Sequence, residues 1–285
     1  MNAVRHSAVL VGASGGIGGA IARSLAPGCK RLLLVGRDRA RLDALAGELA
    51  TTSAVAPLAA DIATAAGRRA VADAAAAQAC DLLINCAGTG ELAWFAEQSD
   101  EAIENIIGTN LVAPMLVVHA LLPVLATAPK ATIVNVGSIF GYLGYPGCAT
   151  YSASKFGLRG FTEALRRELA GSRIRVMHLA PRSTRTSLNS DAMYALNAGL
   201  GVAVDDPQVV ANALLAMLAS PRRERLLGFP ERLFARLNQL LPQVVDQGMR
   251  RQLPHIQRQV GGRAVPGIPA EVISIDGCDQ CGAKP

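Results

Sequence analysis

Aromatic residues are scarce in this chain: one Trp, four Tyr and six Phe among 285 residues. With so few stacking groups and no nucleic-acid motif, no nucleic-acid partner is expected. Histidine is also rare, with four copies, and the six cysteines are scattered. The lone C-x-x-C, Cys278 and Cys281, has neither a second pair nor a nearby His. It falls short of the four ligands of a zinc site, so no metal is expected. Such cysteine usage suits a reduced, cytoplasmic setting. Met1 to Ser7 shows neither a basic leader nor a small-residue cleavage site, which argues against a secretory signal. Charged residues make up only 18% of the chain, against 51% hydrophobic. That composition buries a sizeable core, with Ala-rich helices packed closely on a sheet.

What is present is unevenly placed. The net charge is +6, and between Arg222 and Val260 eight arginines meet only Glu224, Glu231 and Asp246. Nearly all the positive excess therefore sits in one late segment, which can meet an anionic membrane or acidic ligands. The longest apolar run, Leu111 to Ala128, has about the length of a membrane span. It contains Pro114, His119 and Pro123, and a buried helix of a large domain is the preferred reading.

The first 180 residues alternate short β-branched or Leu-rich runs with longer Ala-rich ones. Strands are predicted at Ala8–Val11, Leu32–Val35, Ala54–Pro57, Leu82–Asn85, Thr132–Val136 and Arg175–Leu179. Helices are predicted near Gly18–Leu25, Arg39–Ala50, Thr64–Ala79, Asp100–Leu122 and Tyr151–Ala170. This alternation implies right-handed βαβ units and a parallel sheet in one α/β domain. Residues 182–201 are polar and read as a loop or lid. Pro207 opens a helix that ends at Pro221, and a short strand follows near Leu226.

Farther on, Leu233, Leu237, Leu240, Leu241, Val244, Val245 and Met249 recur at helical spacing with arginines between them. Pro242 and Pro254 are expected to break this segment into shorter helices. The expected layout is an α/β domain at 1–228, amphipathic basic helices at 229–260 and a flexible tail at 261–285.

The stretch VLVGASGGIGGAIA follows the first strand and opens the first helix. Gly12, Gly16 and Gly18 permit a tight turn and let backbone approach a pyrophosphate at the helix N-terminus, where Ser14 adds a hydroxyl. At the end of the second strand an acid would bind a ribose 2′-OH and an arginine a 2′-phosphate. Arg37 stands there, with Arg39 or Arg41 to assist, so NADP(H) is expected over NAD(H). Asp38 dissents, although it equally suits a helix cap.

Gly12-x-x-x-Gly16-Ile17-Gly18, Asp61-Ile62 and the NCAG at 85–88, in this order, resemble the short-chain dehydrogenase/reductase family over residues 7–228. The resemblance implies a Rossmann-like, doubly wound parallel sheet of about seven strands, followed here by a helical extension. It also implies that Asp61 and Ile62 lie by the adenine, and that Asn85, Ala87 and Gly88 shape the adenine–ribose side. The catalytic set it implies is Asn110, Ser138, Tyr151 and Lys155.

Tyr151 and Lys155 stand one helical turn apart on one face. A lysine ammonium nearby, together with the positive charge of the oxidised nicotinamide, is expected to favour the phenolate and lower its pKa. In the family's chemistry Tyr151 protonates the carbonyl oxygen and Ser138 hydrogen-bonds it. Lys155 also holds the nicotinamide ribose, and Asn110 holds a water in a proton relay. Pro181, Thr184 and Thr186 match the segment that contacts the nicotinamide carboxamide. Arg182 replaces the family's usual glycine there, and it and Arg185 are open to a cofactor phosphate, an acidic substrate or solvent.

The substrate pocket is expected between Ile139–Tyr145 and the loop near Leu188, with Phe140, Tyr145 and Leu188 as apolar contacts beside Ser138 and Tyr151. An apolar carbonyl or alcohol, lipid-like or acyl, fits such walls better than a sugar. The 229–260 segment is open to a role as lid, oligomer contact or peripheral membrane anchor. The resemblance also implies a homodimer or homotetramer. Two other readings stay open: a redox-sensing cofactor-binding protein without turnover, and an extended-type epimerase or dehydratase.

Overall fold

The computed structural model describes residues 6–261. The Cys278/Cys281 pair and the expected tail lie outside the described residues. Through the first half, strands and helices alternate: β1 (His6–Val11), α1 (Gly16–Leu25), β2 (Cys29–Gly36), α2 (Arg39–Leu49), β3 (Ala54–Ala59), α3 (Ala65–Ala77) and β4 (Leu82–Asn85). Next come α4 (Asp100–Ile107), α5 (Ala113–Thr127), β5 (Ala131–Val136), α6 (Ala149–Glu168) and β6 (Ile174–Ala180). The described residues end with α7 (Asp191–Gly199), α8 (Pro207–Leu218), β7 (Glu224–Leu226), α9 (Glu231–Leu240) and α10 (Pro242–Val260).

All seven strands are parallel, in the order β3-β2-β1-β4-β5-β6-β7. Side-chain alternation explains why the strands read as nearly unbroken apolar runs. Leu10, Leu34, Ile84 and Val134 face a core closed by α1, α2 and α8. Val9, Val35, Leu83 and Ile133 face the opposite core under α3 and α5. Register brings the strand ends level: Val11 sits opposite Val35 on one side and Asn85 on the other. The functional turns therefore emerge along one carboxyl edge.

Three segments differ from the sequence reading. The polar stretch 182–201 contains α7, capped where the Ser190 hydroxyl accepts from the Met193 N–H. The helix expected over Asp100–Leu122 is interrupted by a five-residue π turn, Gly108–Val112. Pro242 opens α10 at its first position, where its missing N–H costs nothing. Pro254, however, lies inside that helix. Leu253 and Ile256 pack with Trp94 and Leu196 around it, and this tertiary contact overrides the local penalty.

The long apolar run, by contrast, forms one side of a core. Helix Asp100–Thr127 is the one described helix long and apolar enough to cross a membrane. It nevertheless connects β4 to β5, and Val117, Leu121 and Leu125 are wholly buried against the sheet.

Candidate active site

Strand order reverses between β1 and β4, and such a switch point opens a crevice at the carboxyl edge. Gly12 turns the chain there with φ +84°. A Cβ on it would lie 2.5 Å from the Ala87 amide nitrogen, and one on Gly18 would lie 2.0 Å from the Gly12 carbonyl oxygen. Three backbone segments thus touch where the sequence supplies no side chain. α1 begins with Gly15 at its N-cap and no side-chain cap, so its first-turn N–H groups stay available to an anion. Gly36 makes room for the Ser14 hydroxyl, which is 2.7 Å from where its Cβ would be.

Asp38 accepts from the Arg41 N–H at 3.0 Å and pairs with its guanidinium at 3.1 Å, while Arg39 pairs with Asp43 at 2.8 Å. Arg37 is exposed and makes no hydrogen bond or ion pair with the described residues. Asp61 is also exposed, its carboxylate accepting from the Ala63 N–H at 3.0 Å, and Ile62 is buried beside it. The Asn85 side chain turns inward instead, donating to Asn135 at 2.9 Å, which in turn donates to Thr162 at 2.9 Å. What the N-C-A-G turn brings to the crevice is therefore backbone, with Ala87 against Gly12.

The four residues expected to be catalytic converge beside this turn. Tyr151 and Lys155 lie on α6, with the ammonium 5.6 Å from the phenol ring centre. Ser138 follows β5; its hydroxyl accepts from the Phe140 N–H at 3.1 Å and lies beside Tyr151 in the cavity wall. Asn110 sits in the π turn, wholly buried. Its carboxamide accepts from the Thr89 N–H at 2.8 Å and donates to the Thr89 carbonyl at 2.8 Å and to Ser154 at 3.0 Å. A Cβ on Gly88 would lie 3.4 Å from the Asn110 carboxamide oxygen and 3.5 Å from the Lys155 ammonium. The Asn110 side chain thus clamps the Gly88–Thr89 turn over Lys155.

Without the nicotinamide's charge, burial dominates the electrostatics of this pair. Burial pushes the Tyr151 phenol up to about 12, against the downward pull of the Ser138 hydroxyl. Burial likewise pushes Lys155 down to about 8. In the polypeptide alone desolvation outweighs the attraction between ammonium and phenolate, and Tyr151 holds its proton. Behind Gly137, the wholly buried His178 has no hydrogen-bond partner on either ring nitrogen among the described residues. Burial, aided by Lys155 and two arginines, pushes it down to about 3, so it stays neutral.

A cavity of about 560 Å³ opens over Tyr151. Phe140 stacks on Tyr145 at 4.8 Å and meets Tyr151 edge-on at 6.3 Å. Leu188 is at the rim, Pro181, Thr184 and Thr186 line one side, and α9 and α10 supply the outer wall. Thr186 abuts the start of α1, its methyl 2.7 Å from where a Gly16 Cβ would be. Ile17 lines the cavity floor. The Thr184 hydroxyl turns away to donate to the Arg182 carbonyl at 2.9 Å.

A family model described as short chain dehydrogenase matches residues 6–195. The chain belongs to that family. It is 34% identical over 215 residues to the 3-oxoacyl-[acyl-carrier-protein] reductase of Bos taurus, covering 74% of this chain and 90% of that one. Its fold is similar to a short-chain dehydrogenase from Sphingobium yanoikuyae in complex with NADPH: TM-score 0.70, 30% identity, 86% of this chain and 94% of that one. It is also similar to a 3-ketoacyl-(acyl-carrier-protein) reductase from Brucella melitensis complexed with NADH: TM-score 0.69, 30% identity, 77% and 94% covered. The protein is thus an oxidoreductase with a nicotinamide cofactor, and both cofactor types occur among its structural relatives.

Within this short-chain dehydrogenase, Arg182 corrects one expectation. Its guanidinium donates to Asp205 at 2.7 Å and to Glu231 at 3.2 Å, and the three side chains are only 15%, 13% and 17% exposed. It is therefore spent on holding α9, and is free for neither phosphate nor substrate. Gly228, at φ +90°, leaves the space through which its side chain passes.

Other site residues carried no usable motif. Gly90 lets the Tyr151 ring approach to 2.9 Å of where its Cβ would be, and Met193 and Met249 line the cavity from α7 and α10. The small residue after the N-C-A-G turn was the available hint for Gly90.

Proposed function

We propose that this enzyme is an NADP(H)-dependent carbonyl reductase for apolar ketones or aldehydes, lipid-like and acyl ones included. The arrangement that carries the reading is Tyr151 beside Ser138 and one turn from buried Lys155, at the base of an apolar cavity. The crevice fits a dinucleotide: an uncapped helix N-terminus, side-chain-free turns at Gly12 and Gly18, and Ser14 beside Gly36. Arg37, exposed and unpaired while Asp38 is occupied as a cap, supports a 2′-phosphate and hence NADP(H).

Bound there, the cofactor supplies the hydride. Tyr151 supplies the proton, passing it from its phenol to the carbonyl oxygen as negative charge develops. An alkoxide is far more basic than a phenolate, so a phenol held near 12 donates readily. Ser138 hydrogen-bonds the same oxygen. Lys155 compensates the phenolate left behind, and Asn110 holds the turn that confines Lys155. Val112 at the end of the π turn, Met115 and Leu116 on α5 and Phe156 on α6 stand exposed, which supports assembly as a homodimer or homotetramer through those helices.

The test is Tyr151→Phe, with NADPH oxidation followed over a panel of neutral ketones and aldehydes. Turnover of any accepted substrate is expected to fall by about 1,000-fold, with NADPH binding retained. Turnover equal to that of the unaltered enzyme overturns the assignment of Tyr151 as the acid.

A further inference from the structure

Helices α9 and α10 are fastened at two ends and bare between them. On α9, Glu231 pairs with Arg182, Ala235 is wholly buried, and Asn238 donates to the Tyr142 carbonyl at 3.0 Å. These positions repeat every three or four residues and define the inward face. On α10, Val245 and Ile256 are buried, and Leu253 and Val260 pack beside Trp94.

The elbow between the two helices carries apolar side chains outward. Leu240 is 78% exposed, Leu241 55% and Val244 52%, and Phe229, Leu233 and Phe234 extend the patch along α9. Helical spacing puts Leu233, Leu237 and Leu240 on one stripe, opposite Glu231 and Ala235. A soluble surface rarely gathers so many large apolar groups without a partner.

The charges beside this patch select the partner. Arg232, Arg236, Arg250, Arg251 and Arg258 are all exposed, and none forms an ion pair with a described residue. Of the two acids on these helices, Glu231 is consumed by Arg182, which leaves Asp246. A two-fold contact with a second copy would set this cationic patch against itself. An anionic lipid surface satisfies both components, apolar and cationic. The elbow also adjoins the cavity, because Phe234, Leu237, Val244 and Val245 line it.

We propose that the elbow at Leu240–Leu241 seats in the headgroup boundary of an anionic membrane, with the flanking arginines on lipid phosphates. An apolar substrate dissolved in that leaflet then lies next to the cavity mouth.

The full-length protein is sedimented with vesicles of phosphatidylcholine alone and of phosphatidylcholine mixed with phosphatidylglycerol. Binding is expected to the mixed vesicles, much less to the neutral ones, and to weaken with salt. Leu240→Asp with Leu241→Asp is expected to cut partitioning by about tenfold or more without moving the thermal unfolding midpoint or turnover of a water-soluble ketone. Arg232→Glu with Arg236→Glu serves as a second, independent variant, with a comparable loss confined to the anionic vesicles.

Absence of binding to mixed vesicles overturns the proposal, and so does binding that neither variant weakens. A fall in oligomeric mass on introducing the leucine changes, without lipid, also overturns it, because the elbow then joins copies of the chain. The readout is independent of Tyr151, so failure of the proposed catalysis leaves it standing.

Discussion

The crevice turns and the C-terminal helix pair are built in opposite ways. At the crevice, Gly12, Gly18, Ala87 and Asn110 touch one another or the backbone directly, and each contact excludes alternatives. The α9–α10 pair is held by a largely shielded ion-pair cluster at one end and an apolar cluster at the other. The difference teaches where each property resides. The shape of the crevice is fixed by close backbone contacts, whereas the outer wall of the cavity is held in place by a few side chains.

Breaking the crevice should have the largest effect. In Gly18→Ala the new Cβ would lie 2.0 Å from the Gly12 carbonyl oxygen, so the first turn must shift. Roughly 3 kcal/mol of stability or more should be lost. NADPH binding, measured by fluorescence titration, should fall below detection. A variant that binds NADPH normally would show that the turn is less constrained than its contacts imply.

The helix pair should fail separately. Arg182→Met leaves the Asp205 and Glu231 carboxylates largely buried without their cation, a loss worth about 3 kcal/mol. Thermal unfolding should shift down, and KM for an apolar ketone should rise about tenfold as α9 loosens. NADPH affinity should stay unchanged. Adding Asp205→Asn and Glu231→Gln should restore most of the stability, because uncompensated charge is the damage. An equal loss of cofactor and ketone binding would erase the distinction between the two regions.

The same division governs what the sequence reveals. Strands such as β1 and β2 are legible because both faces of a parallel sheet are buried, so apolar runs mark them. Gly12, Ser138, Tyr151 and Lys155 are legible because their spacing is fixed by a turn, a strand end and a helix. Arg182 is not, since its partners stand 23 and 49 residues away and only the fold brings them together. Helix α7 hides among polar residues, its apolar Met193 and Leu196 gaining meaning only against α10. Pro254 misleads because packing of Leu253 and Ile256 outweighs a local rule. The Tyr151 pKa in the polypeptide alone is not legible, because residue types announce a neighbouring charge but not the depth of burial.

Arg37 supplies the smallest and most selective test, since it is an exposed side chain at the edge of the crevice with no hydrogen bond or ion pair to a described residue. Its side chain holds no structure together, so Arg37→Glu should leave the unfolding midpoint in place. Facing a 2′-phosphate, the change replaces attraction by repulsion, and the Kd for NADPH should rise by about tenfold or more. NADH lacks that phosphate and should bind within about twofold of its original affinity, with any gain coming from the new carboxylate on the ribose 2′-OH. Parallel titrations with the two cofactors decide it. Equal losses would mean that Arg37 serves the crevice in general, and cofactor choice would then have to come from another residue.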